Sequence, residues 1–347
     1  MMLAAVLYGK EDVRVERRPT PYIGDGEVLV RIETALTCGT DMKVYRRGYH
    51  ARMIQVPSAF GHEFAGRIAA TGPGVDGFQV GMRVVAANSA PCGRCFYCRR
   101  GAFTVCDDLL FLNGAYAQYI KIPARIVKQN LLPIPDHVSF AEAAMVEPLA
   151  CVLRGIDESR VVEGENVALL GLGPIGLLFV RLLKLRGARV LAFGRRPARL
   201  RLAEQLGADA VFNVDLVGDI PGQVRGLTEG RGADTVIECV GHPSAWELAV
   251  DCVRRGGLAI LFGGCATGTT VRLDAERLHY DQLTIKSPFH HTPHHIREAL
   301  RLIARRVIDA SRWISHRASL VDLPRVLAHL AQPNGMLKVA IHPQEND

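Results

Sequence analysis

Four cysteines lie close together in the chain, at a spacing that suits a metal ion. They follow the pattern C-x2-C-x2-C-x7-C and are Cys92, Cys95, Cys98 and Cys106. Thiolates at this spacing can converge from one loop on a tetrahedral zinc ion. Arginines inside the same loop can offset the excess negative charge of such a site. The spacing therefore predicts a closed, structural zinc site.

Other interpretations of these cysteines fit the spacing less well. The bacterial iron–sulfur pattern C-x2-C-x2-C-x3-C has a shorter last gap. A zinc-ribbon module for nucleic acid uses two separated C-x2-C pairs, and no interleaved basic and aromatic residues follow this loop. Unliganded buried thiols remain the third alternative. Four further cysteines lack metal spacing, and we interpret them as packing residues: Cys151, Cys239, Cys252 and Cys265.

A glycine-rich segment follows the apolar run at 167–170. It has the pattern G-x-G-x-x-G and reads Gly171-Leu172-Gly173-Pro174-Ile175-Gly176. A leucine-rich stretch follows, so the segment lies between a predicted strand and a predicted helix. In this context the glycines allow a tight turn, and the pyrophosphate of a dinucleotide rests on the helix N-terminus. The segment predicts a dinucleotide-binding turn.

The next predicted strand, at 189–193, is followed by Gly194, Arg195 and Arg196. Gly194 lies 18 positions after Gly176, where an acidic residue would hold the ribose hydroxyls of NAD. Arginines at this place can bind a 2′-phosphate instead, and we include Arg199 in this set. The pattern favours NADP, with NAD as the alternative. Two solvated arginines at a helix start are the competing interpretation, although cations there oppose the helix dipole.

Two different patterns divide the chain. Short β-rich runs broken by glycine and proline cover 28–148 and predict antiparallel sheet. Later strand-like runs alternate with helical stretches, which predicts a parallel, doubly wound sheet; these runs are 167–170, 189–193, 210–212, 235–239 and 258–262. A final strand-like run at 336–341 is expected to return to the first domain. The fold class is therefore α/β.

Composition excludes several classes of protein. The chain has 347 residues, 48% hydrophobic and 22% charged, which is typical of a folded protein of two domains. The net charge of +7 comes from scattered basic residues, so we expect no nucleic-acid partner. The longest apolar stretch is too short and too rich in glycine to span a membrane. With no secretory signal pattern, we expect a cytoplasmic protein with reduced thiols.

At the level of the whole chain the sequence resembles the zinc-containing medium-chain alcohol dehydrogenases. The resemblance rests on four segments in the family's order: Cys38-Gly39-Thr40-Asp41, Gly61-His62-Glu63, the four-cysteine loop, and Glu147-Pro148. The first and last segments are most similar to the polyol (sorbitol) and threonine dehydrogenase branch. The resemblance implies a GroES-like catalytic domain at 1–151 and 287–347 and a Rossmann domain at 152–286. It also implies a homodimer or homotetramer.

The family resemblance implies a catalytic zinc ion held by Cys38, His62 and Glu147. One sulfur, one nitrogen and one oxygen would leave a fourth position for water or substrate. Such a site lowers the pKa of a hydroxyl, so that hydride can leave from the adjacent carbon. Singly, each residue also has an ordinary structural interpretation: a buried thiol, a core histidine, and an acid at a helix start.

The same resemblance assigns roles around that zinc ion. Thr40 matches the hydroxyl that relays the substrate proton, Asp41 the carboxylate that orients the ligating histidine, and Glu63 a transient ligand or a neighbour of the ligands. Relatives often end the relay with a histidine five residues after the cysteine, but this sequence has Lys43 there. The outer end of the relay is therefore not assigned.

Four histidines near 290 have a spacing that suggests metal only at first sight. Thr292 and Pro293 are placed as N-cap and first residue of a helix, so His290 and His291 precede that helix. The pairs with His294 and His295 then share no helical face. We interpret these histidines as surface or inter-domain residues, with substrate contact by one of them as the alternative.

These observations together predict a dehydrogenase with two zinc ions and a nicotinamide cofactor. The expected substrate is a secondary alcohol, a polyol or a sugar hydroxyl. An NADPH-dependent aldehyde or ketone reductase uses the same site in the other direction and stays open. A protein that binds zinc and cofactor as a sensor, without turnover, is the alternative outside enzymes.

Overall fold

A computed structural model describes residues 1–49, 54–332 and 335–345. The strands in chain order are β1 (Met2–Gly9), β2 (Asp12–Arg18), β3 (Val28–Leu36), β4 (Ser58–Ala59), β5 (Glu63–Thr71), β6 (Arg83–Ala86), β7 (Ser89–Ala90), β8 (Leu110–Phe111), β9 (Tyr119–Ile122), β10 (Leu131–Pro133), β11 (Asn166–Leu170), β12 (Arg189–Gly194), β13 (Ala210–Asn213), β14 (Ala233–Glu238), β15 (Val253–Leu261), β16 (Thr284–Lys286), β17 (Ile314–Ser319) and β18 (Lys338–His342).

The helices alternate with these strands, most densely after residue 140. They are α1 (Gly39–Arg47), α2 (Phe96–Arg99), α3 (Ala124–Asn130), α4 (Phe140–Ala144), α5 (Val146–Ser159), α6 (Pro174–Leu185), α7 (Pro197–Gln205), α8 (Ile220–Leu227), α9 (Pro243–Asp251), α10 (Ala275–Tyr280), α11 (Pro293–Ala304) and α12 (Leu323–Ala331). Short 3-10 turns lie at Phe103–Val105 and Ala310–Trp313.

The chain forms two compact units. The first consists of Met1–Ala150 and His291–Asp347, and the second of Cys151–His290. The sequence-based domain limits, with one domain at 1–151 and 287–347 and the other at 152–286, remain predictions. Among the described residues no helix is both long and apolar enough to cross a lipid bilayer.

The first unit is built on mainly antiparallel sheets, as its β-rich runs predict, and β17 pairs parallel with β18. Its main sheet has the order β10-β6-β5-β3-β18-β17, and β9 pairs with β3. A three-stranded sheet with the order β2-β1-β4 lies in the same unit. The alternating burial of β3, fully buried at Val28, Val30 and Ile32, directs one face of that strand into an apolar core. The sheet ends near Leu36, directly before Cys38.

The second unit contains a six-stranded parallel sheet. Its order is β13-β12-β11-β14-β15-β16, and each neighbouring pair runs parallel. This is the order of a dinucleotide-binding sheet: the chain crosses from the edge strand β13 to β14, and the strand order reverses between β11 and β14. Strands β11 and β12 are almost entirely buried, which explains their continuous apolar runs. The predicted doubly wound parallel sheet is confirmed.

Strands β16 and β17 are among those not expected from the sequence. β16 adds the sixth strand to the parallel sheet, and β17 pairs with β18 in the first unit. Both are short or polar, so their hydrophobic alternation is weak. The expected final strand is present as β18, which pairs antiparallel with β3 and returns the chain to the first unit.

Candidate active site

Three potential metal ligands meet where β3 ends and β5 and α1 begin. Ligand atoms of Cys38, His62 and Glu63 all lie within 4.8 Å of one another. Cys38 is the N-cap of α1, and its Sγ accepts a hydrogen bond from Thr40 N at 3.4 Å. His62 is 5% exposed and Glu63 is fully buried. Cys38 and His62 lie 24 positions apart in the sequence, and the pairing of the end of β3 with the start of β5 brings them together.

Asp41 connects the helix to the histidine. Its Oδ1 lies 3.3 Å from His62 Nδ1, and its Oδ2 accepts a hydrogen bond from Cys38 N at 2.9 Å. Burial alone would lower the pKa of His62, but the Asp41 carboxylate and Cys38 raise it well above the usual value. Because Nδ1 faces Asp41, Nε2 is the ring nitrogen left to bind a metal ion.

Lys338 is a buried cation in this cluster that the sequence did not reveal. Its Nζ donates to Glu63 at 2.5 and 2.7 Å and to the carbonyl of Thr37 at 3.0 Å. Lys338 is 1% exposed, so the ion pair is shielded from water. Burial raises the pKa of Glu63, and the Lys338 cation opposes that shift. A lone lysine in an otherwise apolar strand is the signal that could have marked it.

Glu147 lies in the first turn of α5, buried and 6% exposed. Glu147 does not belong to the group of ligand atoms formed by Cys38, His62 and Glu63. Its Oε1 lies 3.9 Å from His291 Nε2. Burial raises the pKa of Glu147 to about 7, while the charge of His62 lowers it. His291 Nε2 is also 2.9 Å from Asn88 Oδ1.

The histidines near 290 differ in part from the prediction. Helix α11 begins at Pro293 with Thr292 as its N-cap, so that part of the prediction is confirmed. A surface position is wrong for His291 and His295, which are 3% and 9% exposed. The buried rings have polar neighbours: His291 Nε2 lies near Asn88 and Glu147, and the Nδ1 of His295 lies 2.7 Å from Thr292 Oγ1.

The described donors fit a divalent cation. The carboxyl groups of Asp41, Glu63 and Glu147 and the ammonium group of Lys338 are buried, and Cys38 is half-buried. Buried negative charge is unfavourable unless it is compensated. Sulfur, nitrogen and oxygen donors together are those that zinc prefers.

The four cysteines of the loop converge on one point. Their Sγ atoms lie within 4.8 Å of one another, with Cys92 to Cys98 and Cys95 to Cys106 both at 3.9 Å. Zinc–sulfur bonds of about 2.3 Å place tetrahedral sulfurs roughly 3.8 Å apart, so the set fits zinc. Backbone hydrogen bonds from Arg94 and Cys95 lower the pKa of Cys92 to about 6. Burial raises the pKa of Cys98 to about 12.

The glycine-rich turn has the close approaches that its sequence implies. Gly171 has a φ of +99°, and Gly173 is the N-cap of α6, which begins at Pro174. A Cβ atom on Gly176 would lie 1.9 Å from the Gly171 carbonyl oxygen. The turn therefore has no room for a side chain at Gly176. The N-terminus of α6, whose first turn includes Ile175, lies next to the turn.

Gly194 ends β12, and the two arginines follow directly. A Cβ on Gly194 would lie 2.8 Å from Leu172 Cδ1 and 3.0 Å from its Cβ. Arg195 pairs with Asp215 at 3.4 Å on the surface, and Arg196 is the N-cap of α7. Burial and the neighbouring Arg196 cation lower the pKa of Arg199. Cations thus gather at the end of the second strand.

Comparison with known proteins decides the family. The model of the alcohol dehydrogenase GroES-like domain matches residues 24–136, and that of the zinc-binding dehydrogenases matches 174–305. Sorbitol dehydrogenase from Bacillus subtilis (strain 168) is 31% identical over 99% of this chain and 97% of its own. The chain belongs to the zinc-containing medium-chain dehydrogenases. The predicted polyol and threonine dehydrogenase branch is likewise confirmed.

Other relatives of this medium-chain dehydrogenase extend the comparison. L-threonine 3-dehydrogenase from Bacillus velezensis is 32% identical and covers 90% of this chain and 86% of its own. A zinc-binding dehydrogenase from Sinorhizobium meliloti 1021, solved with NADP bound, has a TM-score of 0.89 at 30% identity and 99% coverage of both chains. An alcohol dehydrogenase from Thermus sp. ATN1 has a TM-score of 0.87 at 29% identity, with 98% of this chain and 99% of that one covered.

Family membership makes this chain an enzyme of the zinc-type alcohol and polyol dehydrogenases. Sequence reasoning identified the motif residues of this dehydrogenase and missed the residues that hold them. Lys338, His291 and Tyr116 each contact a motif side chain from a distant segment, and Asn88 contacts His291. Asn88 and Tyr116 belong to no spaced pattern, so no local signal marks them. His291 belongs to the group of histidines near 290, whose spacing did not indicate this contact.

Proposed function

We propose that this protein is a zinc-dependent, NADP-linked dehydrogenase that oxidises a secondary alcohol, polyol or sugar hydroxyl by hydride transfer. The observation that carries the proposal is the set of sulfur, nitrogen and carboxylate donors in the first unit, in which the ligand atoms of Cys38, His62 and Glu63 lie within 4.8 Å of one another. The relatives named for sorbitol and for the 3-position of L-threonine support a substrate in which a secondary alcohol is oxidised.

In this proposal Cys38, His62 and Glu147 hold the catalytic zinc ion. Zinc bound there supplies the Lewis acidity that lowers the pKa of a substrate hydroxyl. Glu63 is the nearer carboxylate, but both of its oxygens already accept hydrogen bonds from Lys338. Glu147, raised to a pKa of about 7 by burial, is the carboxyl group that gains more from a neighbouring cation.

Two residues of α1 act on protons and on orientation. Thr40 Oγ1, half-buried in the first turn, is proposed to take the substrate proton and pass it outward. Asp41 holds the His62 ring through Nδ1, so that the Nε2 lone pair faces the metal ion. Lys43 does not replace the relay histidine of relatives in this proposal.

The four-cysteine loop is proposed to hold a second, structural zinc ion. Four sulfurs fill a tetrahedral shell and leave no open position for substrate. The site therefore contributes folding free energy and no step of the reaction.

The nucleotide-binding domain is proposed to span 152–286 and to prefer NADP. Gly171, Gly173, Pro174, Ile175 and Gly176 approach the pyrophosphate. Gly194 supplies no carboxylate to repel a 2′-phosphate, and the cations for that phosphate are those of Arg195, Arg196 and Arg199. The NADP-bound relative from Sinorhizobium meliloti supports this cofactor.

A substrate panel tests the proposal. Sugars, polyols and secondary alcohols are supplied with NADP or NAD, and reduced-cofactor absorbance is followed before and after removal of metal by a chelator. We expect turnover with at least one secondary alcohol, higher kcat/KM with NADP, and loss of turnover after chelation that added zinc restores. Full activity in the chelated, metal-free protein would contradict the proposal.

A further inference from the structure

Tyr116 is a buried tyrosine whose hydroxyl contacts the carboxylate beside His62. Its side chain is fully buried, and Oη lies 2.5 Å from Asp41 Oδ2 and 3.1 Å from the carbonyl oxygen of Leu36. The phenol has one O–H hydrogen, which it donates to the nearer acceptor, the Asp41 carboxylate. Burial and the Asp41 carboxylate raise the pKa of Tyr116 well above its usual value, so the hydroxyl keeps its proton.

We propose that Tyr116 is a positioning residue that sets the orientation and tautomer of His62 through Asp41. This inference rests on the proposed function, because His62 is there a zinc ligand. Oδ2 of Asp41 accepts two hydrogen bonds, from Tyr116 Oη and from Cys38 N at 2.9 Å. With Oδ2 held from two directions, the carboxylate cannot rotate, and Oδ1 stays 3.3 Å from His62 Nδ1.

The tyrosine ring supports the same histidine from the backbone side. A Cβ on Gly61 would lie 2.6 Å from Tyr116 Cδ2, and Gly61 has a φ of +88°. The backbone directly before His62 therefore lies against the ring face. Phe60 packs on the ring edge-on, with centroids 5.0 Å apart, and Tyr116 N donates to the carbonyl of Phe60 at 3.1 Å.

The hydroxyl and the ring have separable effects. The ring locates the backbone of Gly61, and the hydroxyl holds the carboxylate that orients the imidazole. Tyr116→Phe removes only the hydroxyl and retains the ring contacts, so we expect the variant to fold. Partners of this kind change metal affinity by roughly 10- to 100-fold in other zinc sites. The hydroxyl should therefore affect retention of zinc more than the fold.

The experiment measures release of zinc from the holoenzyme to a chromogenic chelator. The phase that comes from the catalytic site is identified as the one absent in Cys38→Ser. We expect Tyr116→Phe to release this zinc about 10- to 100-fold faster than wild type. Tyr119→Phe, which removes the hydroxyl of a half-buried tyrosine in β9, is the matched control and should release zinc at the wild-type rate. Melting temperatures of both variants monitor folding.

A double-mutant cycle tests the route through Asp41. If Tyr116 acts through that carboxylate, Tyr116→Phe should add no further acceleration in an Asp41→Asn background. Multiplying effects in the double variant, or a wild-type release rate in Tyr116→Phe, would overturn the inference while leaving the proposed function standing. A wild-type protein without a Cys38-dependent zinc phase would instead overturn the proposed function, and the inference with it.

Discussion

At the scale of single residues, the first unit brings several acidic groups close together. Lys338 pairs with Glu63, and burial raises the pKa of Glu147 and of Cys38. A pKa raised by burial means that the charged form is unfavourable without a nearby cation. The arrangement is therefore one in which metal binding and ionisation of the ligands support each other.

Cys38→Ser should abolish turnover while the protein stays folded. A serine hydroxyl is a much poorer zinc ligand than a thiolate, so we expect kcat/KM to fall by more than about 100-fold. Cys265→Ser, in a half-buried position outside both proposed zinc sites, is the matched control and should keep near-normal kcat/KM. Near-normal turnover in Cys38→Ser with its zinc content reduced would contradict the catalytic role.

Single residues also determine cofactor choice in our proposal, namely Arg195 and Arg196. A charge-assisted hydrogen bond contributes about 1.5–3 kcal/mol, so Arg196→Ala should lower the ratio of kcat/KM for NADP over NAD roughly 10- to 150-fold. The measurement is made at fixed ionic strength, because phosphate contacts are screened by salt. Arg189→Ala, at the opposite end of β12, is the control and should keep the ratio. Equal wild-type values for the two cofactors would refute the NADP assignment.

Gly194→Asp is a less direct test of cofactor preference than the sequence alone suggests. Gly194→Asp would place a carboxylate at the NAD position, but its Cβ would contact Leu172 at 2.8–3.0 Å. Any change of cofactor preference in the single variant would therefore reflect both the new charge and steric strain. Leu172→Ala removes the contacts with Cδ1 and Cγ and leaves the one with the Leu172 Cβ at 3.0 Å. Gly194→Asp combined with Leu172→Ala therefore reduces the strain in part, and this double variant should shift the preference toward NAD more clearly than the single variant.

At the scale of elements, β3 is the strand that assembles the site. It pairs with β5 on one side and β18 on the other, with Leu36 opposite both Glu63 and Ala340. The start of β5 and the start of β18 are thereby brought to the same end of the sheet. Glu63 and Lys338, 275 positions apart in sequence, become an ion pair through this register.

Lys338→Met should strongly destabilise the first unit. Removing one partner of a buried ion pair leaves an uncompensated charge and costs about 3–5 kcal/mol of unfolding free energy. Glu63→Gln in the same chain removes that charge, so the double variant should regain part of the loss. Denaturant unfolding of the three proteins is the measurement. A single variant with wild-type stability would show that the pair contributes little.

The glycine-rich turn offers a matched pair of substitutions. Gly176→Ala would place Cβ 1.9 Å from the Gly171 carbonyl, whereas a Cβ on Gly173 has nothing within 4 Å. We therefore expect Gly176→Ala to lower the melting temperature, and Gly173→Ala to keep it while weakening cofactor binding, because the backbone there approaches the pyrophosphate. Thermal melting and cofactor titration distinguish the two effects. Equal melting temperatures for both variants would contradict the geometry of the turn.

The sequence predicts the elements and motifs well because their signals are local. The four-cysteine spacing, the glycine-rich turn after β11 and the N-cap at Thr292 each lie within one short segment. Tyr116 and Lys338 were missed, since each is a single residue whose partner lies far away in the chain. The surface position considered for His291 was wrong for the same reason, because its partner Glu147 lies in a distant segment. Strands β16 and β17 were missed because their alternation is weak. Long-range pairing, rather than composition, determines these contacts.

At the scale of the whole molecule, the donor sets of the two proposed zinc sites differ in character. The four-cysteine set is closed by its own sulfurs, and the Cys38 set includes one sulfur and one imidazole beside carboxyl groups. Closed sites contribute to folding, and open sites leave a position for substrate. We therefore propose that one zinc ion of the chain stabilises the fold and that the other takes part in the chemistry.

The direct test of this central claim is the metal content of the purified wild-type protein. Elemental analysis by mass spectrometry, referred to protein concentration, should give two zinc ions per chain. A fully loaded preparation with a single zinc ion per chain, or with iron and acid-labile sulfide in place of zinc, would contradict the account.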